Sequence, residues 1–224
     1  LQGFYHPIDL PGVDSEIAVP RPNTRSNLTD YHEREWDLVN RLVTNLFHTG
    51  IAGRTVLDLG PADGFFTLKC ARAGASVLAY DRHALMVART AVFSVLAGVS
   101  DRVTVRLLSV DRIDPNVWSS GPDTCDLILA LGVIYHFDDL VGDLARIVGL
   151  RVPVVFEFPS TGADNGDRYD PAARSDNRPI SLRWFLEWLD GQGFDATVEP
   201  DWGRYNNDLT DGDTRYNMVL AVPR

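Results

Sequence analysis

The stretch that most constrains this chain is Thr55 to Phe66, TVLDLGPADGFF. A short apolar run, Val56-Leu57-Asp58-Leu59, stops at Gly60. The turn Pro61-Ala62-Asp63-Gly64 follows, and a helical pattern begins at Phe65. A run this short, bounded by turn residues, predicts a buried strand, a tight turn and a helix N-terminus. Small residues in such a turn let a ligand touch bare backbone. The amides of the helix N-terminus then face that ligand.

Two nucleotide-type ligands use a turn of this kind. A dinucleotide wants glycine at the first, third and sixth positions, because its pyrophosphate lies against the backbone. Here those positions hold Gly60, Ala62 and Phe65. Phenylalanine at the last one blocks the close helix–strand packing that a glycine provides, which argues against NAD. The other ligand is S-adenosylmethionine (SAM). Its cationic amino-acid part suits an acid in the turn, and Asp58 and Asp63 are two candidates. The expected donor-binding set from this stretch is Asp58, Gly60, Pro61, Ala62, Asp63, Gly64 and Phe65. A generic βα turn of some α/β protein is the plain alternative.

The chain has 224 residues and is 45% hydrophobic, enough for one full core. We expect an N-terminal arm over 1–28 and one domain over 29–224. The arm carries Pro7, Pro11, Pro20 and Pro22 and reads as extended, either packed on the core or closing over the substrate mouth. It could also reach a neighbouring subunit, so a homo-oligomer is open. Net charge is −10, and the chain holds a single lysine, Lys69. A nucleic-acid binder normally shows a basic footprint. Only a local group, Arg21, Arg25 and Arg34, offers one, so the balance favours a small or neutral acceptor. No apolar run approaches the ~20 residues that span a bilayer, and no signal-peptide pattern opens the sequence. Cys70 and Cys125 both lie in apolar patterns, as free thiols would in a reducing cytoplasm.

Elements alternate along the rest of the chain. Helices are expected over Thr29 to His48, Phe65 to Ala73, Ala84 to Ala97, Asp138 to Leu150 and Ser181 to Asp190. Strands are expected over Ser76 to Tyr80, Val103 to Leu108, Cys125 to Leu131, Val152 to Phe158, Thr197 to Glu199 and Tyr216 to Val222. A long polar loop occupies 159–179. This order predicts an α/β, Rossmann-like sheet with helices on both faces.

Ligands of open α/β sheets bind at the C-terminal ends of the strands. Asp81, about 20 residues past the glycine turn, sits where an acid accepts both ribose hydroxyls, with Arg82 beside it; capping the following helix is its alternative. Ser109, Val110 and Asp111 follow the third strand, where this fold places an adenine edge. Leu131 and Gly132 leave the fourth strand, and Tyr135 and His136 come next. A histidine at neutral pH can take a proton from a hydroxyl acceptor, so His136 is a candidate base; the bland role is packing, or orienting Tyr135. Glu157 lies near the exit of the fifth strand and can orient the base, bind a hydroxyl or cap a turn. A divalent metal such as Mg could replace the base, with Asp138, Asp139, Glu157 and Asp164 as nearby acids. Tyr169, Trp184, Trp202 and Tyr205 are candidates for stacking on an acceptor.

VLDLGPADGFF, with the pattern D-x-G-x-x-x-G, resembles motif I of the class I SAM-dependent methyltransferases. LILALGVIYHF resembles the L-G-V-L-Y-H segment of the wobble-uridine tRNA carboxymethyltransferase-like family within that class. FYHPIDLPG resembles the phrase that precedes the catalytic domain in its stand-alone relatives. The likeness covers most of residues 4–160. It implies a seven-stranded, mostly parallel sheet with an antiparallel last strand. It implies donor binding by Asp58, Gly60, Asp63, Gly64 and Asp81, with Leu131 and Gly132 along the methionine part and Tyr135 facing the reacting group. In the tRNA enzymes a tyrosine and basic residues hold the carboxylate of carboxy-SAM; Tyr135 is present here and Arg215 is a possible match, but the N-terminal lysine has no counterpart. O-methylation of a small hydroxylated acceptor, a sugar or secondary metabolite, is therefore the leading expectation. A tRNA-modifying (carboxy)methyltransferase and a non-catalytic SAM-binding regulator are the alternatives.

Overall fold

The computed structural model describes residues 28–118, 124–161, 179–200, 202 and 214–224. Expectations for the N-terminal arm, for Asp164, Tyr169 and Tyr205, and for most of the 159–179 loop lie outside the described residues. Seven strands form a mixed, mostly parallel sheet in the order β3-β2-β1-β4-β5-β7-β6. The chain divides into two units, Leu1–Ser109 and Val110–Arg224.

The first unit contains α1 (Leu28–Phe47), β1 (Thr55–Leu59), α2 (Phe65–Arg72), β2 (Ser76–Asp81), α3 (Ala84–Leu96) and β3 (Val103–Leu107). The apolar stripe read from the sequence is what docks α1: Leu38, Val39, Leu42 and Val43 are all buried. Each such burial contributes roughly 1.5–3 kcal/mol, more than helix propensity supplies. In β1, Val56, Leu57 and Leu59 are at most 1% exposed, so the short apolar run is a core strand. β1 and β2 run parallel, from Thr55 opposite Ser76 to Leu59 opposite Tyr80. β2 and β3 are parallel from Val77 opposite Val103 to Asp81 opposite Leu107. That register brings the glycine turn, Asp81 and the exit of β3 to one edge of the unit. α2 is only eight residues long, and six of them are buried, so it is a core helix, apolar on nearly every side.

The second unit opens with a 3-10 turn at Val110–Arg112 and the short α4 (Pro115–Trp118). Then come β4 (Leu127–Leu131), a 3-10 turn at Ile134–His136, α5 (Leu140–Gly149), β5 (Val154–Thr161), α6 (Leu182–Gly191), β6 (Phe194–Val198) and β7 (Thr214–Pro223). All five residues of β4 are buried, as expected of a strand covered on both faces. β5 is parallel to β4, from Ile128 opposite Val154 to Leu131 opposite Glu157. β7 is antiparallel to both β5 and β6. Asp139 caps α5 by accepting from the Gly142 amide at 3.0 Å, and Ser181 caps α6 by accepting from the Trp184 amide at 3.3 Å. Two strands depart from the sequence expectation by three residues at one end. β5 runs on through Pro159 to Thr161, because β7 continues to pair with it there. β6 begins at Phe194, not Thr197, because the Phe194 ring is buried and its backbone pairs with Pro223.

Candidate functional site

The turn after β1 is wound from alternating left-handed residues. Gly60 has φ 71°, Ala62 φ 51° and Gly64 φ 89°. The Gly60 amide donates to the Tyr80 carbonyl at 2.9 Å, and the Gly64 amide to the Pro61 carbonyl at 2.8 Å. Thr90 Oγ1 of α3 donates to the Ala62 carbonyl at 3.0 Å. A Cβ on Gly64 would lie 3.0 Å from Thr90 Cγ2, so glycine is needed there for both space and conformation. Phe65 and Phe66 open α2 edge to face, 5.0 Å between centroids, and both rings are buried.

The two acids of this stretch are engaged inside the unit. Asp58 accepts from Thr67 Oγ1 at 2.5 Å. Burial pushes its carboxyl up to about 6, the Thr67 bond opposes that, and the charge of Asp81 adds to it. Asp63 has no exposed surface and pairs with Arg89 Nη1 at 2.9 Å. Asp81 ends β2 with its side chain 8% exposed. Its Oδ1 accepts from the His83 amide at 2.8 Å and lies 3.2 Å from His83 Nδ1. No hydrogen bond within the described residues goes to its Oδ2. Arg82 is exposed, and Ser109 is half-buried. In the other unit, Val110 is half-buried and Asp111 is exposed, 3.7 Å from Arg112.

The second unit gathers a separate set at the exit of β4. Leu131 stands opposite Glu157, and the Gly132 amide donates to the Glu157 carbonyl at 3.0 Å. Gly132 has φ 63°. The position a Cβ would take on Gly132 is 3.8 Å from Glu157 Oε2 and 3.9 Å from the Tyr135 hydroxyl. A buried carboxylate and a phenol therefore converge beside a residue that has no side chain. Glu157 is 2% exposed, whereas Tyr135 and His136 are half-buried. The Tyr135 and His136 rings lie 4.2 Å apart at 43°. Of the acids considered for a metal, Asp139 is committed to its helix cap. Among the described residues no group of three or more His, Cys, Asp or Glu could hold an ion. Trp184 stacks on Trp188 along α6, and Trp202 is buried at 2% exposure.

One buried polar pair escaped the sequence reading. His32 Nδ1 on α1 lies 3.2 Å from Glu35 Oε2, and both side chains are buried. The His32 ring packs against Phe65 and Phe66, at 5.6 and 6.3 Å between centroids. Burial lowers His32 to about 4, against a raising effect from Glu33, and raises Glu35 to about 8. Nothing in HEREW marks these two residues as buried, since polar residues on an amphipathic helix normally face water.

Comparison with known proteins follows the same lines. Residues 30–152, more than half of the chain, match a family described as a methyltransferase domain. The tRNA U34 carboxymethyltransferase of Marinobacter nauticus is 25% identical over 213 residues, covering 84% of this chain and 61% of that protein. The chain thus spans about three-fifths of that curated relative's length. Among solved structures, the [4+2]-cyclase SpnF superposes with a TM-score of 0.66 at 17% identity, covering 90% of this chain and 85% of that one. Magnesium protoporphyrin IX methyltransferase from Synechocystis PCC 6803, solved with bound SAH, gives 0.61 at 15% identity, covering 86% and 83%. These last two likenesses speak for the fold.

Proposed function

The chain belongs to the methyltransferase-domain family, a SAM-dependent methyltransferase with a Rossmann-like fold, and from that premise we propose that it methylates a hydroxyl of a small acceptor, saccharide or secondary metabolite. What supports this acceptor class is the convergence of Glu157 and Tyr135 beside Gly132, with the His136 ring tilted against that of Tyr135. A carboxylate and a phenol are suited to holding hydroxyl groups by hydrogen bonds. A histidine adjacent to them supplies a base that works near neutral pH.

Two features of the first unit support the residues we assign to the donor. Asp81 is a buried carboxylate with one oxygen fixed by His83 and the other not engaged by any described residue. That is the chemistry a ribose diol requires. The left-handed turn from Gly60 to Gly64 leads into the amides at the start of α2, the backbone surface for the amino-acid part. When bound, the sulfonium supplies an already activated methyl group, so the protein's task is mainly alignment. Glu157 and Tyr135 hold the acceptor, and His136 takes the proton that its hydroxyl loses.

The experiment pairs a binding measurement with a kinetic one. Native mass spectrometry with SAM, carboxy-SAM and NAD in competition identifies the donor; retention of SAM is expected. His136→Ala should lower kcat by about 10²–10⁴-fold and leave SAM affinity as it was. Full turnover in that variant removes His136 as the base. A second reading, carboxymethyl transfer to tRNA, is favoured by the Marinobacter relative's name and by Tyr135. Preference for carboxy-SAM, together with steeply salt-dependent RNA binding, would put it first.

A further inference from the structure

α3 is inverted for a helix at the surface. Its two buried residues, Thr90 and Ser94, are polar. Its outward residues are apolar: Leu85 is 49% exposed, Val92 55%, Val95 64% and Leu96 50%. Arg89 is the one charged side chain of the helix, and it is drawn back onto the buried Asp63. A helix facing water normally carries charge on its outer side. Here Leu85, Ala88, Val92 and Val95 recur at steps of three, four and three, the spacing by which two helices pack knobs into holes. Leu107, 58% exposed, is a further outward apolar residue on β3, the edge strand against which α3 packs.

We propose that this face is a homodimer contact in which α3 packs antiparallel on α3 of a second copy of the chain. The seam is complementary to itself. Aligned about its midpoint, Leu85 comes beside the partner's Val95 and the small Ala88 beside the partner's Val92, so each pair sets a larger side chain against a smaller one. Electrostatics selects this face too. At a net charge of −10, two copies repel over much of their surfaces. The outward side of α3 carries no charge, so contact there sets no like charges opposite each other. The same patch on both copies closes as a two-fold and leaves no open face. An anionic lipid surface is a poorer match, because the one cation of the helix, Arg89, is held against Asp63. One helix pair with one strand edge falls at or below the low end of the ~1,200–2,000 Å² of standard interfaces. A dimer that dissociates in the micromolar range is therefore expected.

The test is sedimentation velocity of the full chain across roughly 1 to 200 µM, a range that brackets such a dissociation constant. The wild type should pass from monomer to dimer. Val92→Glu should stay monomeric with an unchanged circular dichroism spectrum and melting temperature. Leu85→Gln is the substitute if Val92→Glu does not fold. Val92→Cys should be joined to its copy by a short bismaleimide, measured against the chain without that cysteine. A wild type that is monomeric at the highest concentration overturns the proposal. So does a Val92→Glu protein that dimerises as the wild type does. A monomer that begins to dimerise only when residues 1–27 are removed also overturns it, by making the chain's own N-terminal segment the occupant.

Discussion

Arg89 of α3 lies 2.9 Å from the carboxylate of Asp63, which is wholly buried at the turn after β1. The pair fastens the turn after β1 to a helix 26 residues further along the chain. Removing the cation leaves a buried carboxylate without its counter-charge, which typically costs about 3–5 kcal/mol. Arg89→Met should lose stability by that amount in urea unfolding, and Arg89→Lys should recover part of it. Adding Asp63→Asn to Arg89→Met should restore much of the loss, the mark of a coupled pair. Equal stability in the wild type and Arg89→Met would mean that the pair contributes nothing.

The turn predicts opposite outcomes for two neighbouring substitutions. Ala62 holds φ 51° with a Cβ, a conformation that costs an L residue roughly 1–2 kcal/mol. Glycine relieves that strain but adds about 0.5–1 kcal/mol of unfolded-state entropy. Ala62→Gly should therefore be neutral to about 1 kcal/mol stabilising. Gly64→Ala meets both a φ of 89° and Thr90 at 3.0 Å. It should destabilise by about 1–3 kcal/mol and weaken SAM binding. Thermal melts of the two proteins, run side by side, must move apart by those signs.

Stability should fall between about pH 6.5 and 8. Glu35 keeps its proton up to about pH 8 in the native chain, against an ordinary value of 4.5. Across that interval the native state binds a proton that the unfolded state has released, so rising pH destabilises. His32, lowered from 6.5 to about 4, acts in the opposite direction. The unfolded state alone binds its proton there, and stability rises with pH until about 6.5. The two effects oppose each other up to 6.5, with Asp58 adding a falling contribution between 3.8 and about 6. Above 6.5, the falling contribution of Glu35 is no longer opposed by His32 and amounts to up to about 1.4 kcal/mol per pH unit. Urea midpoints for the wild type should drop from pH 6.5 to 8, and Glu35→Gln should flatten the profile. A flat wild-type profile in that window sinks the assignment.

Asp81 offers the most direct test of the donor assignment. Asp81→Ala removes the carboxylate and its hold on the His83 amide, and SAM binding by calorimetry should vanish. Asp81→Asn keeps one acceptor oxygen and should bind, at a loss of at least tenfold. Unchanged affinity in the alanine variant would place the ribose elsewhere.

What was legible in the sequence was local. The strand, left-handed turn and helix around Gly60 lie within a dozen residues, and their pattern needs no distant partner. Asp81 could be placed because it ends β2, whereas Glu157, expected near the exit of its strand, stands inside β5, which runs on to Thr161. Asp63 was offered to the ligand because Arg89, so far along the chain, gave no sign of claiming it. The burial of His32 and Glu35 depends on Phe65 and Phe66 arriving from α2. That α3 is a helix was legible, but not that it turns Thr90 and Ser94 inward. Its approach to Gly64, where an added Cβ would stand 3.0 Å from Thr90, leaves space on that side only for small residues.

The position of β7 bears on the order in which the chain acquires structure during synthesis. β1, β2 and β3 become neighbours as they are made, β2 and then β3 each pairing with the strand made just before it. β6 leaves the ribosome before β7, yet β7 stands between it and β5. Until β7 is complete, β6 has no strand to join, and β5 has a vacant edge along the side that β7 will fill. A nascent chain halted before Thr214 should thus hold a finished β1–β2–β3 ladder beside an unpaired edge. That edge is a target for chaperones and for strand exchange with another copy.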